Sequence, residues 1–166
     1  ICRQWAWKPD DQMKSLKECI QTLVRVVGGD GNFLFNIGPM PDGRIEPRQV
    51  ERLREMGAWL KQYGQSIYAT RGGPFMPGPW GASTLKGNTI YIHVLTWPDE
   101  NLRLPPIPRK IVASSVLTGG IATVRQSGEA IEISVLKSDR NELDTIIKLE
   151  LDGPVSGIAP VGLPSA

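Results

Sequence analysis

The sequence predicts an α/β segment followed by an all-β one, the C-terminal fragment of a (β/α)8 barrel joined to an antiparallel β-sandwich. Three observations carry that reading. A helix, one hydrophobic strand and a second helix occupy the first 66 residues, and short alternating runs rich in β-branched residues begin near Thr70. Between them lies a Gly/Pro-rich stretch, Gly72 to Gly81, which marks the seam. The expected domains are therefore 1–66, an incomplete barrel, and 67–166, the sandwich.

The first helix is expected after Pro9-Asp10-Asp11, whose carboxylates suit a helix start. Leu16, Cys19, Ile20, Leu23, Val24 and Val27 then recur at the spacing of one helical face, and Gly28-Gly29 supplies the stop. Asn32 to Ile37 reads as a strand, apolar almost throughout and so buried on both faces, as parallel strands are. Pro47 opens a second helix with Val50, Leu53, Met56, Leu60 and Tyr63 along one stripe and Glu46 and Glu51 around its N-terminus.

Beyond Thr70 the runs Ser83–Leu85, Thr89–Leu95, Lys110–Leu117, Ile121–Arg125, Ala130–Leu136 and Asp144–Leu151 are separated by turn signals such as Lys86-Gly87-Asn88 and Thr118-Gly119-Gly120. Their spacing predicts a sandwich of seven or eight strands with its own core. A complete eight-stranded barrel needs about 250 residues. One parallel strand between two helices leaves its backbone groups unpaired and its apolar faces uncovered. Residues 1–66 are thus expected to be the last part of a larger barrel. The opening residues Ile1-Cys2-Arg3-Gln4, without an initiator Met or an apolar targeting core, fit a start within a longer protein.

The most informative run is Gly31-Asn32-Phe33-Leu34-Phe35-Asn36-Ile37-Gly38-Pro39, followed by Met40-Pro41-Asp42-Gly43. It resembles the Gly-Asn-(Leu/Phe)-Leu-Leu-Asn-Ile-Gly-Pro-x-x-Asp-Gly segment of α-L-fucosidases of glycoside hydrolase family 29. The likeness continues through Trp5-Ala6-Trp7-Lys8-Pro9-Asp10-Asp11 before it and through Glu55-Met56-Gly57-Ala58-Trp59-Leu60 to Ile67-Tyr68-Ala69-Thr70 after it. The resemblance implies a retaining glycosidase whose substrate is a fucosylated glycan or simple fucoside. It also implies that both catalytic carboxyl groups, the nucleophile and the acid/base, precede Ile1, so that the chain by itself is inactive. Trp5 and Trp7 are the substrate-binding candidates: an aromatic from this loop lines the fucose pocket in the family, where the sugar's methyl group offers an apolar face. Trp5 takes the place of the family's Trp, whereas Trp7 replaces a Tyr and Ala6 a Gly. Asn36, at the mouth of the strand, is expected to orient other groups rather than to react.

The remaining polar candidates read as structural. Asp10 and Asp11 suit helix capping, and Asp42 in Pro-Asp-Gly suits a turn. The only histidine, His93, alternates within a strand with no nucleophile nearby, as a sandwich surface or interface residue would. Trp80 and Trp97 border Pro or Gly turns where aromatics seal joins between domains. Cys2 and Cys19 lack metal-ligand spacing, and Cys19 falls on an apolar helix face. No phosphate loop, metal cluster or cofactor motif is present.

With 19 basic and 17 acidic residues spread along the chain, no basic stripe points to nucleic acid, and no run approaches the 18 or so apolar residues of a membrane span. A secreted or periplasmic location follows only from the resemblance. The rival functions are a carbohydrate-binding module or a purely structural sandwich.

Overall fold

The computed structural model describes residues 1–162. Two helices, α1 (Leu16–Gly28) and α2 (Pro47–Tyr63), precede eight strands: β1 (Arg71–Gly72), β2 (Gly81–Lys86), β3 (Thr89–Val94), β4 (Leu102–Leu104), β5 (Ile111–Val116), β6 (Ala122–Gln126), β7 (Ile131–Val135) and β8 (Thr145–Leu151). The strands form two sheets, one of five in the order β1-β2-β3-β8-β5 and one of three in the order β4-β7-β6, with all their neighbours antiparallel. Each of the six alternating runs in the sequence becomes a strand. Leu102–Leu104 and Arg71–Gly72 are additional. Both are too short to show a periodicity of two.

Strand alternation explains the layers. On β3, Ile90, Ile92 and Val94 point one way and Tyr91 and His93 the other. The first set joins Ile147, Leu149 and Leu151 of β8 and Leu102, Leu104, Ile131, Ile133 and Val135 of the smaller sheet in a core between the two sheets. Tyr91, Ala82 and Ile146 instead meet Cys19, Ile20, Leu23, Val24, Met56, Trp59 and Tyr63 from the helices. The larger sheet is therefore covered on both faces. The inter-sheet core draws only on residues from Phe75 onward, whereas the helices complete theirs with sandwich residues. Each fully buried Ile or Leu contributes about 1.5–3 kcal/mol.

Local sequence sets the ends of these elements. A capping box starts α1: the Ser15 hydroxyl accepts the Glu18 N–H, and the Glu18 carboxylate accepts the Ser15 N–H at 2.7 Å. The cap is thus Ser15, not Asp10 or Asp11, because Ser15-Leu16-Lys17-Glu18 has the reciprocal spacing. Pro47 occupies the first turn of α2. At the end of α1, Gly28 packs against the larger sheet, where a Cβ would lie 2.5 Å from the Ala82 Cβ. The β2–β3 hairpin turns on Gly87-Asn88, with Gly87 at φ +59.

A clasp ties the end of α1 to β1. The Asp30 carboxylate accepts from the Arg71 guanidinium and, at 3.0 Å, from the Gly72 N–H. Arg71 first, then the Gly72 N–H, lowers the Asp30 pKa to about 2. Because this pKa is depressed on folding, the clasp's contribution is present above the ordinary Asp value, about 3.9, and is lost as pH falls through about 2. The Gly72 amide resonance is expected to titrate with a midpoint near 2, and Asp30→Asn to abolish that titration. A midpoint at the ordinary value would mean that the clasp does not form.

One expected element is not a regular strand. Residues 31–38 form no ladder, although their side chains alternate: Phe33 and Phe35 stack at 5.3 Å and pack against the helical core, while Leu34 is 92% exposed. The expectation of burial on both faces is corrected for this reason. Among the described residues no neighbouring strand lies alongside to accept and donate hydrogen bonds or to cover the Leu34 side.

Candidate functional site

The loop before α1 folds back on itself. Cys2 and Met13 form an antiparallel bridge, the Arg3 N–H donates to Gln12 O at 2.9 Å, and the Lys14 N–H donates to Ile1 O at 2.9 Å. Asp11 closes the inside of this loop. Its carboxylate accepts the Gln4 N–H at 2.8 Å and the Gln12 N–H at 2.9 Å, one on each oxygen. Asp10 stands in solvent with φ +55, so neither acid caps α1.

Trp5 forms the crest of the loop and is 81% exposed. Its backbone is nonetheless held, because the Asn36 side-chain amide donates to Trp5 O at 2.6 Å. Two residues further on, Gly38 is packed directly against the loop: a Cβ there would stand 2.4 Å from Trp7 N and 2.8 Å from Ala6 C. Only glycine allows this approach. Asn36 and Gly38, spaced by two on one extended segment, therefore fix the loop backbone from below. Asn36 is itself exposed and not a buried polar group, since the segment's outer side is uncovered.

The structure separates the two tryptophans. Trp7 is half-buried beside the start of α2, where its indole neighbours the Glu46 carboxylate. Arg48 foremost holds that carboxylate below the usual range, with weaker help from Gln49 and the Trp7 indole and against the opposing effect of burial. Arg48 also reaches Asp11 O at 3.4 Å. Trp7 thus supports the loop from the α2 side, and Trp5 presents a free aromatic face.

Among the described residues, the acids Asp11, Asp42 and Glu46 near the loop already have partners, and Glu46 is held by Arg48. Asp11 is occupied by two backbone N–H groups. Asp42 accepts the Arg44 N–H at 3.0 Å and the Arg44 guanidinium at 2.8 Å, chiefly the latter keeping its carboxyl below the ordinary range. With Gly43 at φ +81, Asp42 serves the turn, as the Pro-Asp-Gly sequence suggests. Among the described residues no group of three His, Cys, Asp or Glu is placed to hold a metal ion. No described helix is long and apolar enough to cross a membrane. The site can bind a partly apolar ligand on Trp5.

Sequence reasoning missed Gly38 and the Asp11 clamp. Gly38 sits in a Gly-Pro pair that reads as a turn, and its close approach to Ala6-Trp7 is a long-range contact with no local signature. Asp11 follows Asp10 before a helix, where capping is the simpler reading.

Two helices packed on a β-sandwich are a fold shared with solved glycoside hydrolases. The chain has a TM-score of 0.79 at 25% identity to α-L-fucosidase isoenzyme 1 from Paenibacillus thiaminolyticus, covering 91% of this chain and 38% of that one. To a glycoside hydrolase family 29 α-L-fucosidase from Bacteroides thetaiotaomicron, solved as a trapped covalent intermediate, the TM-score is 0.76 at 27% identity, covering 89% and 36%. The class is that of the glycoside hydrolases.

Within it, the chain belongs to the α-L-fucosidase family. The family's sequence model matches residues 1–65. An α-L-fucosidase of Branchiostoma floridae is 34% identical over 142 residues, covering 77% of this chain and 30% of that protein, and the tissue α-L-fucosidase of Mus musculus is 30% identical over 148 residues, covering 79% and 31%. The chain therefore spans about a third of the length of these curated relatives.

Proposed function

We propose that residues 1–66 are the end of a (β/α)8 catalytic barrel and that residues 67–166, of which 163–166 lie outside the described residues, are the sandwich attached to it, in a retaining α-L-fucosidase acting on fucosylated glycans or simple fucosides. The observation that carries this reading is the extended segment 32–37, which presents Phe33 and Phe35 to the helices and leaves Leu34 uncovered. A strand in that state completes a parallel sheet when a neighbour lies beside it, and the other strands of such a barrel would supply that neighbour. Retaining hydrolysis needs two carboxyl groups about 5 Å apart. Asp11 and Asp42 are committed to backbone and turn, so both reacting carboxyls are assigned to residues preceding Ile1. A secreted or periplasmic location belongs to the same reading, because fucosylated glycans are found outside the cytoplasm.

In this enzyme Trp5 lines the fucose subsite and excludes water from the methyl face of the sugar. Asn36 and Gly38 hold the Trp5 loop in place, and Trp7 buttresses it. In the gene product of full length, Trp5→Ala is expected to lower kcat/KM on an aryl α-L-fucoside by about 1–3 kcal/mol. Asn36→Ala should act in the same direction but less, because the indole remains. Trp97→Ala, far along the sandwich under the Arg140 guanidinium, should leave the kinetics unchanged. A well-folded Trp5→Ala enzyme with wild-type kinetics would remove Trp5 from the pocket.

A further inference from the structure

Glu46 occupies the N-cap position of α2, yet its side chain accepts no backbone N–H there. Helix N-caps favour short side chains whose oxygen turns back on the first-turn amides. The Glu46 carboxylate is directed elsewhere, from a place that is fixed on both sides. Its carbonyl accepts the Gln49 and Val50 N–H groups at 2.9 and 3.0 Å, and the residue before it, Ile45, forms an antiparallel bridge with Pro39. Pro39 follows Gly38, the glycine packed against Trp7 N. Glu46 and Trp7 thus flank one short bridge.

The Glu46 side chain is only 14% exposed, and Oε1 takes the Arg48 guanidinium. Oε2 is sealed from solvent without a hydrogen-bond partner, and the Trp7 indole N–H is a sealed donor in the same state. A buried acceptor and a buried donor left open each carry a desolvation penalty, which pairing them removes. The two groups are already neighbours, because the indole joins Arg48, foremost, and Gln49 in holding this carboxyl below the ordinary range against the effect of burial. Arg48 meanwhile reaches Asp11 O at 3.4 Å, on the returning limb of the loop.

We propose that Glu46 is a positioning residue of the fucose subsite: its Oε2 takes the Trp7 indole N–H and, with Arg48 on Asp11 O, it ties both limbs of the Trp5 loop to the first turn of α2. This role rests on the assignment of Trp5 to that subsite. Glu46 itself touches no substrate. It acts through Trp7 on the backbone two residues away, where a loop free to rise or fall would spread the Trp5 indole over positions that only partly cover the sugar's methyl group. Such a brace serves the ground state and the transition state alike, so its loss raises KM and leaves kcat nearly unchanged.

Two variants of the gene product of full length test this on an aryl α-L-fucoside: Trp7→Phe, which removes the indole N–H and keeps an aromatic ring, and Glu46→Met, which removes the acceptor at similar length. Each is expected to raise KM about threefold to tenfold with kcat within about twofold, and the double variant to do no more than either alone. Glu46→Gln keeps an acceptor at that place and should recover most of the KM, although the charge paired with Arg48 is gone. If Glu46→Gln fails as Glu46→Met does, the carboxylate serves Arg48 alone and the proposal is overturned. In the 166-residue chain, the Trp7 indole N–H resonance, assigned from Trp7→Phe, should move upfield in Glu46→Met. A resonance indifferent to that change overturns the proposal whatever the kinetics. Wild-type KM in Glu46→Met and Trp7→Phe beside an impaired Trp5→Ala overturns it alone and leaves the fucose subsite standing. Wild-type kinetics in Trp5→Ala overturns the subsite, and the role of Glu46 falls with it.

Discussion

Replacing His93 by leucine is expected to destabilise the chain by about 3 kcal/mol, the cost of leaving the buried Asp144 side chain without its hydrogen-bond partner. His93 on β3 and Asp144 at the start of β8 are both fully buried, and Nδ1 and Oδ2 are 2.6 Å apart, with the imidazole donating to the carboxylate. The pair lies on the helix-facing side of the larger sheet, next to Ile146 and Tyr91. His93→Leu leaves the Asp144 carboxylate in that apolar layer with no proton donor. Asp144→Leu leaves an imidazole there with both nitrogens unsatisfied and should cost somewhat less, because a neutral ring is cheaper to bury than a carboxylate. The double variant should recover most of the loss, since two apolar side chains suit the surroundings better than a broken pair. Urea denaturation of the four proteins measures the cycle. Single variants that each lose less than about 1 kcal/mol would mean that the carboxylate finds water, and that the layer is not closed as described.

This pair also shows where the sequence stops being legible. The alternation of Thr89 to Leu95 places His93 on the face opposite Ile90 and Ile92, but the expected sandwich surface or interface position is corrected as to the surface: the helices cover that face and His93 is fully buried. The partner is 51 residues away and could not be read, because register between non-adjacent strands has no local signal. The six longer strands were visible for the opposite reason: each is a run of five to seven residues rich in β-branched side chains and bounded by turn signals. β4 has only Leu102, Arg103 and Leu104, and three residues do not make a pattern. The α1 face was equally plain, with Cys19, Ile20, Leu23 and Val24 buried as their spacing requires, whereas on α2 the expected stripe is corrected: Gln49 and Trp59 are buried with Met56 and Tyr63, and Val50 and Leu53 are only half-buried.

The candidate site was legible in part. Trp5 and Asn36 are connected by a hydrogen bond, as two motifs of one site should be, but the spatial evidence came from Gly38, whose missing side chain lets the loop and the segment touch. Asn32 to Ile37 was legible as a chain segment with strand character and not as a strand, because a strand is a property of at least two segments.

We propose that this chain holds part of a fucose pocket and none of the reacting carboxyls. An oxocarbenium-like transition state needs one carboxylate at the anomeric carbon and an acid at the leaving oxygen, in fixed relation to each other. Asp11 has both oxygens on backbone N–H groups, Asp42 is bound to Arg44, Glu46 is bound to Arg48, and Asp10 lies exposed on the loop, so among the described residues no acid beside Trp5 is assigned to that pair. The most direct measurement is hydrolysis of 4-nitrophenyl α-L-fucoside by the purified 166-residue chain beside the gene product of full length. No turnover above buffer by the short chain, with turnover by the long one, is the predicted result. Turnover by the short chain that disappears on changing Asp10, Asp11 or Asp42 to Asn would place the catalytic pair within these residues and contradict the account.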